Sequence, residues 1–243
     1  MLQALIFDVD GTLADTESAH CAAFNYAFAK FGLDWHWDDA LYTELLNISG
    51  GKERILHYLS TTPTDLSKFS SLGAAESVNR LFELKTIAYV NSVNSGAVGL
   101  RPGVLRLMHE ALAHGLQLAI ATTTSAVNVA ALLNRAMGPD WRRNFTAVCD
   151  ASTAPIKKPD PQVYLQVLEA LQLEPAQCLA LEDSSNGLRS ATAAGLATLI
   201  TPTRYTEHND FSSAMRVVPD LSHVDLAQLQ LWHAQHQHCA LAA

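Results

Sequence analysis

The hydrophobic positions of the chain form short apolar runs that alternate with longer amphipathic stretches. Runs rich in strand-forming residues lie at Ala4–Val9, Leu116–Ala121, Phe145–Cys149, Gln177–Leu181 and Ala197–Ile200. Apolar residues at spacings of three and four predict helices between the later runs, at Val104–His114, Ala126–Met137, Pro161–Leu171 and Ser185–Ala194. This alternation predicts an α/β protein with a Rossmann-like, mostly parallel sheet and helices on both faces of the sheet.

One long segment departs from the alternation. Between about Thr16 and Val93 the pattern is helical and predicts no strand. We interpret residues 16–95 as a small all-helical cap domain inserted after the first strand, and residues 1–15 and 96–243 as the catalytic core. Linkers near Leu13–Asp15 and Asn94–Pro102 would form a hinge, so the cap could open and close over the edge of the sheet.

Composition narrows the classes of partner. The chain has 243 residues, is 49% hydrophobic and carries a net charge of −8, which argues against nucleic acid or an anionic membrane as a partner. The four cysteines form no CxxC pair, so neither a zinc site nor a disulfide framework is expected. No run approaches the roughly 20 apolar residues needed to span a bilayer, and the N-terminal residues do not resemble a signal peptide. We expect a cytoplasmic monomer.

Two acidic pairs follow predicted strands. Asp8 and Asp10 lie two residues apart in an extended segment, so both can point to one place beyond the strand end, and Gly11 allows a tight turn. Glu182 and Asp183 follow a later strand. A calcium loop and a simple helix cap are the alternative interpretations of the two pairs. Because the carboxyl ends of parallel strands share one edge of a sheet, the pairs together predict a Mg²⁺ site there.

Two weaker signals occupy equivalent positions after the other strands. Thr122 and Thr123 belong to a hydroxyl cluster at a strand end and helix start, where an anion can be held, although helix capping alone also explains it. Lys157 and Lys158 precede Pro159 in a loop that follows the third predicted strand. All four motifs are therefore expected to converge on one edge of one sheet.

This ordered set resembles the haloacid dehalogenase superfamily. The shared motifs are DxDGTL, a strand-end Thr or Ser, a Lys before Pro and a terminal Glu-Asp pair, and they span essentially the whole chain. A helical insertion directly after the first motif resembles the C1-cap subgroup. The resemblance implies a phosphoric monoester hydrolase in which Asp8 is the nucleophile and forms an aspartyl phosphate. It also implies Asp10 as the general acid and base.

The resemblance further implies how the phosphate and the metal are bound. Thr122 and Lys158 would hold the phosphate oxygens. Mg²⁺ would be held by the carboxylates of Asp8 and Asp183 and by the backbone carbonyl of Asp10, with Glu182 as a further ligand or a neighbour of the ligands.

The substrate is expected to be a small phosphorylated sugar. Candidate binding residues are polar or charged side chains near the cap, the hinge and the strand ends, namely Glu17, His20, Lys52, Arg54, Arg101 and Thr123. The two cations that follow Gly50-Gly51 stand at a helix start and could bind a second phosphate. A capped helix start with solvated charges is the alternative.

The stretch DTESAH followed by SGGKER resembles the CbbY-type branch of the superfamily. That branch includes the Calvin-cycle phosphatase that removes the 1-phosphate of xylulose-1,5-bisphosphate, and we expect this activity. β-Phosphoglucomutases and phosphoglycolate-type phosphatases share the core motifs and stay as alternatives. A non-catalytic sugar-phosphate-binding regulator is a remote one, because such proteins usually lose the nucleophile or the acid/base residue.

Overall fold

A six-stranded sheet forms the centre of the fold. The protein is described by a computed structural model that covers residues 1–62 and 73–242. In this part of the chain the strands are β1 (Ala4–Phe7), β2 (Gln117–Ala121), β3 (Ala147–Cys149), β4 (Cys178–Glu182), β5 (Ala197–Ile200) and β6 (Arg216–Val217). All neighbours pair in parallel, in the order β3-β2-β1-β4-β5-β6. The order reverses at β1, which is where ligands bind in open α/β sheets.

Helices cover both faces of the sheet. Their bounds are α1 (Glu17–Phe31), α2 (Asp39–Leu45), α3 (Gly51–Thr61), α4 (Ala74–Asn94), α5 (Val104–Ala113), α6 (Ala126–Met137), α7 (Gln162–Leu171), α8 (Ser185–Ala193) and α9 (Leu226–Ala242). Alternate residues of β1 point to opposite faces: Leu5 and Phe7 pack in one core with α5, α6 and α9, while Ile6 packs in a second core with α7 and α8. The predicted fold class is confirmed.

The five predicted strands and the four predicted core helices are all present, with ends shifted by at most two residues. β6 was not predicted. Its two residues, Arg216 and Val217, are both exposed, and it extends the edge of the sheet beside β5. A strand this short and this exposed leaves no apolar run in the sequence.

The inserted helices have a core of their own. Aromatic rings of Phe24, Phe28, Trp37 and Tyr42 pack together beneath α1–α4. Residues 63–72 of the predicted all-helical segment lie outside the described residues. The division of the chain at residues 16 and 95 stays a prediction.

The two linkers lie side by side. Ala14 forms an isolated antiparallel bridge with Leu100, and the Arg101 N–H donates to Leu13 O at 2.8 Å. Two further contacts join the cap to the core away from these linkers. Asn186 Nδ2 donates to Asn47 O at 3.0 Å, and the Tyr205 hydroxyl lies 3.1 Å from Asp39 Oδ1. These contacts hold the inserted helices over the edge of the sheet.

The C-terminal helix is more buried than its sequence indicates. Its many His and Gln residues are typical of a solvated helix, but α9 buries Leu226, Leu229 and His233 against the core, and His233 Nε2 lies 3.2 Å from Cys178 O. The buried positions have helical spacing, but this pattern is hard to recognise in the sequence because most residues of the segment are polar. Within the described residues, no helix has both the length and the apolar character needed to cross a membrane.

Gly103 at the start of α5 provides a stability test. Its φ is +82°, and an added Cβ would lie 2.0 Å from Leu221 O, a backbone atom that cannot move aside cheaply. We expect Gly103→Ala to lower the free energy of unfolding by roughly 3 kcal/mol or more. Gly32 has a similar φ of +80° but open space around it, so Gly32→Ala should cost only about 1 kcal/mol. If urea unfolding showed the same loss of unfolding free energy for both variants, the clash with Leu221 would not be the cause.

Candidate active site

Two neighbouring strands bring three carboxylates to one point at the sheet edge. Phe7 of β1 lies opposite Leu181 of β4, so Asp8 and Glu182 follow at equivalent positions. The Asp8 N–H donates to Leu181 O at 3.0 Å, which extends the pairing by one residue. The side chains of Asp8, Glu182 and Asp183 are buried, and their carboxylate oxygens lie within 4.8 Å of one another.

Lys158 approaches this cluster from the loop between β3 and α7. Its Nζ donates to Asp8 Oδ1 at 2.6 Å, to Glu182 Oε1 at 2.6 Å and to Ala121 O at 2.8 Å. An ammonium group has three N–H donors, so all three are used. The lysine is therefore fixed in position and points at Asp8.

The carboxylates of this cluster outnumber the positive charges next to them. Burial raises the pKa of Asp8 to about 8 in spite of Lys158, and the Glu182 charge adds to the rise. Burial and the charges of Asp8 and Glu182 also raise the pKa of Asp183 well above its ordinary value. Three carboxylates facing one lysine favour an additional cation. Hard oxygen donors in this number fit a divalent ion such as Mg²⁺.

Asp10 lies beside the cluster and is held by donors from the cap. Thr16 Oγ1 donates to Asp10 Oδ1 at 2.7 Å, and His20 Nε2 lies 3.0 Å from the same oxygen. Lys85 Nζ of α4 lies 2.8 Å from His20 Nδ1. Because an ammonium can only donate, Nδ1 accepts and the ring proton lies on Nε2, facing Asp10. Burial would raise the pKa of Asp10, but the contacts with His20 and Thr16 outweigh it and lower the pKa.

The hydroxyl cluster lies at the end of β2. The Thr122 N–H donates to Cys149 O at 3.0 Å, and Thr122 Oγ1 accepts from the Thr124 N–H at 3.2 Å. Ser125 caps α6, and Thr122 and Thr123 line the same cavity as Asp8. Hydroxyls and backbone N–H groups at a helix start suit an anion such as phosphate.

On the cap side, Glu17 and Arg54 are connected through Tyr42. The Tyr42 hydroxyl donates to Glu17 Oε2 at 2.8 Å, and Arg54 Nη1 donates to that hydroxyl at 3.2 Å. Arg54 also donates from Nε to Leu45 O and from Nη2 to Ile48 O. Arg54 thus holds the loop after α2 with three of its five N–H donors.

Lys52 and Arg101 lie in different settings. Lys52 Nζ donates to the neutral amide oxygen of Asn79 at 2.7 Å, and it forms no ion pair with a carboxylate among residues 1–62 and 73–242. The structure does not bring Arg101, another predicted substrate-binding residue, to the cavity. Its guanidinium donates to the backbone oxygens of Gly11, Thr201, Pro202 and Pro219, and it lies outside the lining of the cavity. Four carbonyls occupy the group, so its role in the structure is to join loops of the core.

The remaining predicted residues surround one cavity of about 410 Å³ between the cap and the sheet edge, a size that suits a small metabolite. Core residues in its lining include Asp8, Asp10, Thr122, Thr123, Lys158 and Asp183. Cap residues in its lining include Glu17, His20, Lys52, Arg54 and Lys85. Glu182 lies behind this lining, below Lys158.

Lys85 is a site residue that we did not predict. It lies on the buried side of α4 with Leu81 and Tyr89, and burial lowers the pKa of its ammonium to about 8. Positions 81, 85 and 89 have the spacing of one helix face. A lysine on an otherwise apolar helix face was therefore the sequence feature that could have indicated this site residue.

Comparison with known proteins agrees with the four motifs. Residues 2–195 match the family model described as haloacid dehalogenase-like hydrolase. The chain is 50% identical to the plasmid-encoded protein CbbY of Cupriavidus necator over 248 residues, covering 96% of this chain and 97% of that protein.

Solved structures extend the similarity to the fold. A mutant of CbbY from Rhodobacter sphaeroides in complex with xylulose-1,5-bisphosphate is 40% identical and has a TM-score of 0.88, with 94% of this chain and 99% of that chain covered. β-Phosphoglucomutase from Clostridium difficile shares the fold at 23% identity and a TM-score of 0.78, with 97% and 99% covered. The chain therefore belongs to the haloacid dehalogenase-like hydrolase family, as a phosphoric monoester hydrolase of the CbbY type.

Proposed function

We propose that the chain is a Mg²⁺-dependent sugar-phosphate phosphatase that removes the 1-phosphate of xylulose-1,5-bisphosphate and leaves xylulose 5-phosphate. The observation that carries the chemistry is the Asp8 carboxylate, which lies in the cavity with one oxygen bonded to Lys158 and a cluster of carboxylates beside it. The substrate assignment is supported by the 40% identical CbbY whose structure holds this bisphosphate. We also propose that the enzyme acts as a monomer, because the groups that the reaction needs, Asp8, Asp10 and Lys158, come together within a single chain.

In this proposal Mg²⁺ is held by the carboxylates of Asp8 and Asp183 and by the backbone carbonyl of Asp10, with Glu182 next to them. When bound, the ion offsets the repulsion between the carboxylates and the phosphate and stabilises charge on the phosphate oxygens. The three buried carboxylates are the donor set that supports this assignment.

Asp8 acts as the nucleophile. The oxygen of Asp8 that is not bonded to Lys158 attacks phosphorus, a P–O bond to Asp8 forms, and the bond to the sugar oxygen breaks. Lys158 and Thr122 bind the phosphate oxygens on which charge increases in the transition state. To do so, Lys158 must turn one of its three N–H donors from a protein oxygen to the phosphate, while its bonds to the other two partners keep it in place.

Asp10 moves the proton. Thr16 and His20 hold its Oδ1, and Asp10 lines the cavity, so we assign the proton transfer to Oδ2. In the first half-reaction Asp10 must carry a proton, in spite of the contacts that lower its pKa, and it gives this proton to the departing sugar oxygen. The resulting carboxylate then takes a proton from the water that attacks the aspartyl phosphate, so phosphate is released and Asp8 is restored.

The sugar end of the substrate is expected to meet the cap. Glu17 accepts from Tyr42 and lines the cavity, where it can also accept from a sugar hydroxyl. A second phosphate would meet Lys52, whose partner among the described residues is a neutral amide, whereas Arg54 already donates to three cap oxygens. We propose Lys52 as the main cation for the distal phosphate.

The function is tested by product analysis with Mg²⁺ on xylulose-1,5-bisphosphate, β-glucose 1-phosphate with its bisphosphate primer, and 2-phosphoglycolate. We expect phosphate release to be fastest from the first substrate. Asp8→Asn should lose on the order of 10³-fold or more in turnover, because no other group can accept the phosphoryl. Circular dichroism should show an unchanged fold. An active, folded Asp8→Ala protein would disprove the mechanism, and glucose 6-phosphate formed without phosphate release would identify a mutase.

The role of Lys52 is tested by Lys52→Gln. Losing one charged hydrogen bond to the distal phosphate should raise KM for the bisphosphate about 10-fold and leave kcat nearly unchanged. KM for xylulose 1-phosphate, which has no distal phosphate, should not change. Lys30→Gln on the exposed side of α1 serves as the control. An equal rise in KM for both substrates would rule out a distal-phosphate contact.

A further inference from the structure

Tyr164 of α7 is a buried phenol directly beneath the candidate site. Its hydroxyl donates to Glu182 Oε1 at 2.6 Å, and its ring lies below Lys158, with Nζ 5.0 Å from the ring centroid. The side chain is fully buried within the core formed by α7 and α8. Packing alone would be served by a phenylalanine. The hydroxyl therefore needs a separate explanation.

The hydrogen bond of Tyr164 is part of a network that includes the proposed catalytic groups. Glu182 Oε1 accepts from both Tyr164 and Lys158, each at 2.6 Å, and Lys158 also donates to Asp8 Oδ1. An ionised carboxylate only accepts hydrogen bonds, so the phenol is the donor. The result is a continuous chain from Tyr164 through Glu182 and Lys158 to the proposed nucleophile.

Glu182 is confined on its other side by Gly187 of α8. A Cβ at position 187 would lie 1.9 Å from Glu182 Oε2, so only glycine allows the carboxylate to occupy this place. Glu182 Oε2 also accepts from the Asp183 N–H at 3.3 Å. With one oxygen facing Gly187, the rotation of the other oxygen is set by its two donors, Tyr164 and Lys158.

We propose that Tyr164 is a positioning residue for the reaction: it fixes the Glu182 carboxylate in the orientation that holds Lys158 against Asp8. Without the hydroxyl, Glu182 Oε1 keeps only Lys158 as a donor, and the carboxylate can turn together with the lysine. Lys158 would then meet the phosphate in several positions, so the transition state loses more than substrate binding does. This role rests on the proposed function of Lys158 as a ligand of the transferred phosphate.

Tyr164→Phe removes a single oxygen atom and keeps the ring that packs in the core. We expect kcat on the sugar phosphate to fall about 10-fold, a typical loss for a residue that orients a ligand-binding group, with little change in KM. Tyr58→Phe is the matched control, because Tyr58 lies in the cap and packs on Trp37. A Tyr164→Phe enzyme with the kcat of the Tyr58→Phe control would overturn the proposal.

A double-mutant cycle tests whether Tyr164 acts through Glu182. If it does, adding Tyr164→Phe to a Glu182→Gln enzyme should cost no further activity. Equal losses in the two backgrounds would show that Tyr164 acts by another route, and the proposal would fail.

A third measurement needs neither metal nor substrate. In ¹⁵N-labelled enzyme, the ammonium signal of Lys158, assigned with Lys158→Arg, should be sharp in the wild type and in Tyr58→Phe and broadened in Tyr164→Phe. An unchanged signal in Tyr164→Phe contradicts the proposal. If the wild type hydrolyses no sugar phosphate, the proposed function fails, and the signal still shows whether Tyr164 fixes Lys158.

Discussion

The site depends on one constraint, which is that several like charges are buried at the edge of a sheet with a single lysine among them. Lys158 uses every ammonium proton to hold Asp8, Glu182 and a backbone carbonyl. Removing one partner from a buried ion pair costs roughly 3–5 kcal/mol, because the other charge is left uncompensated. The fold imposes this arrangement, because β1 and β4 are parallel neighbours and the acidic residues follow their carboxyl ends at the same edge of the sheet.

The cap and the core contribute different kinds of groups. The core provides the carboxylates, the lysine and the hydroxyls that address a phosphate. The cap provides Glu17, His20 and Lys85, which lie over the same cavity and are suited to the rest of the substrate or to Asp10. Arg101 belongs to neither group, since its guanidinium donates to backbone carbonyls of the core. Arg54 lines the cavity, but three of its five N–H donors are used by oxygens of the cap. A cationic side chain near a phosphate site can thus be a structural connector.

Much of the fold and of the core site follows from the sequence, because strand ends and acidic pairs are local features. Asp8 and Asp183 could be located by the apolar run before each, and the parallel sheet then brings them together. Lys85 and Tyr164 could not be found in that way. Each stands in an amphipathic helix, where a single polar atom meets its partner only after the helices have packed. Likewise, no local pattern shows that four distant carbonyls surround the guanidinium of Arg101.

The contacts of Asp10 have a further consequence for the rate of turnover. Asp10 lies on the core side of the hinge, whereas Thr16, His20 and Lys85 lie on the side that would move with the cap. Opening the cap would therefore separate the proton-transfer group from the donors that orient it. In the proposed mechanism, an aspartyl phosphate in an open form would meet bulk water without an aligned base and would persist. The lifetime of this covalent intermediate would then depend on how often the cap closes, and the motion of the hinge would limit the turnover rate.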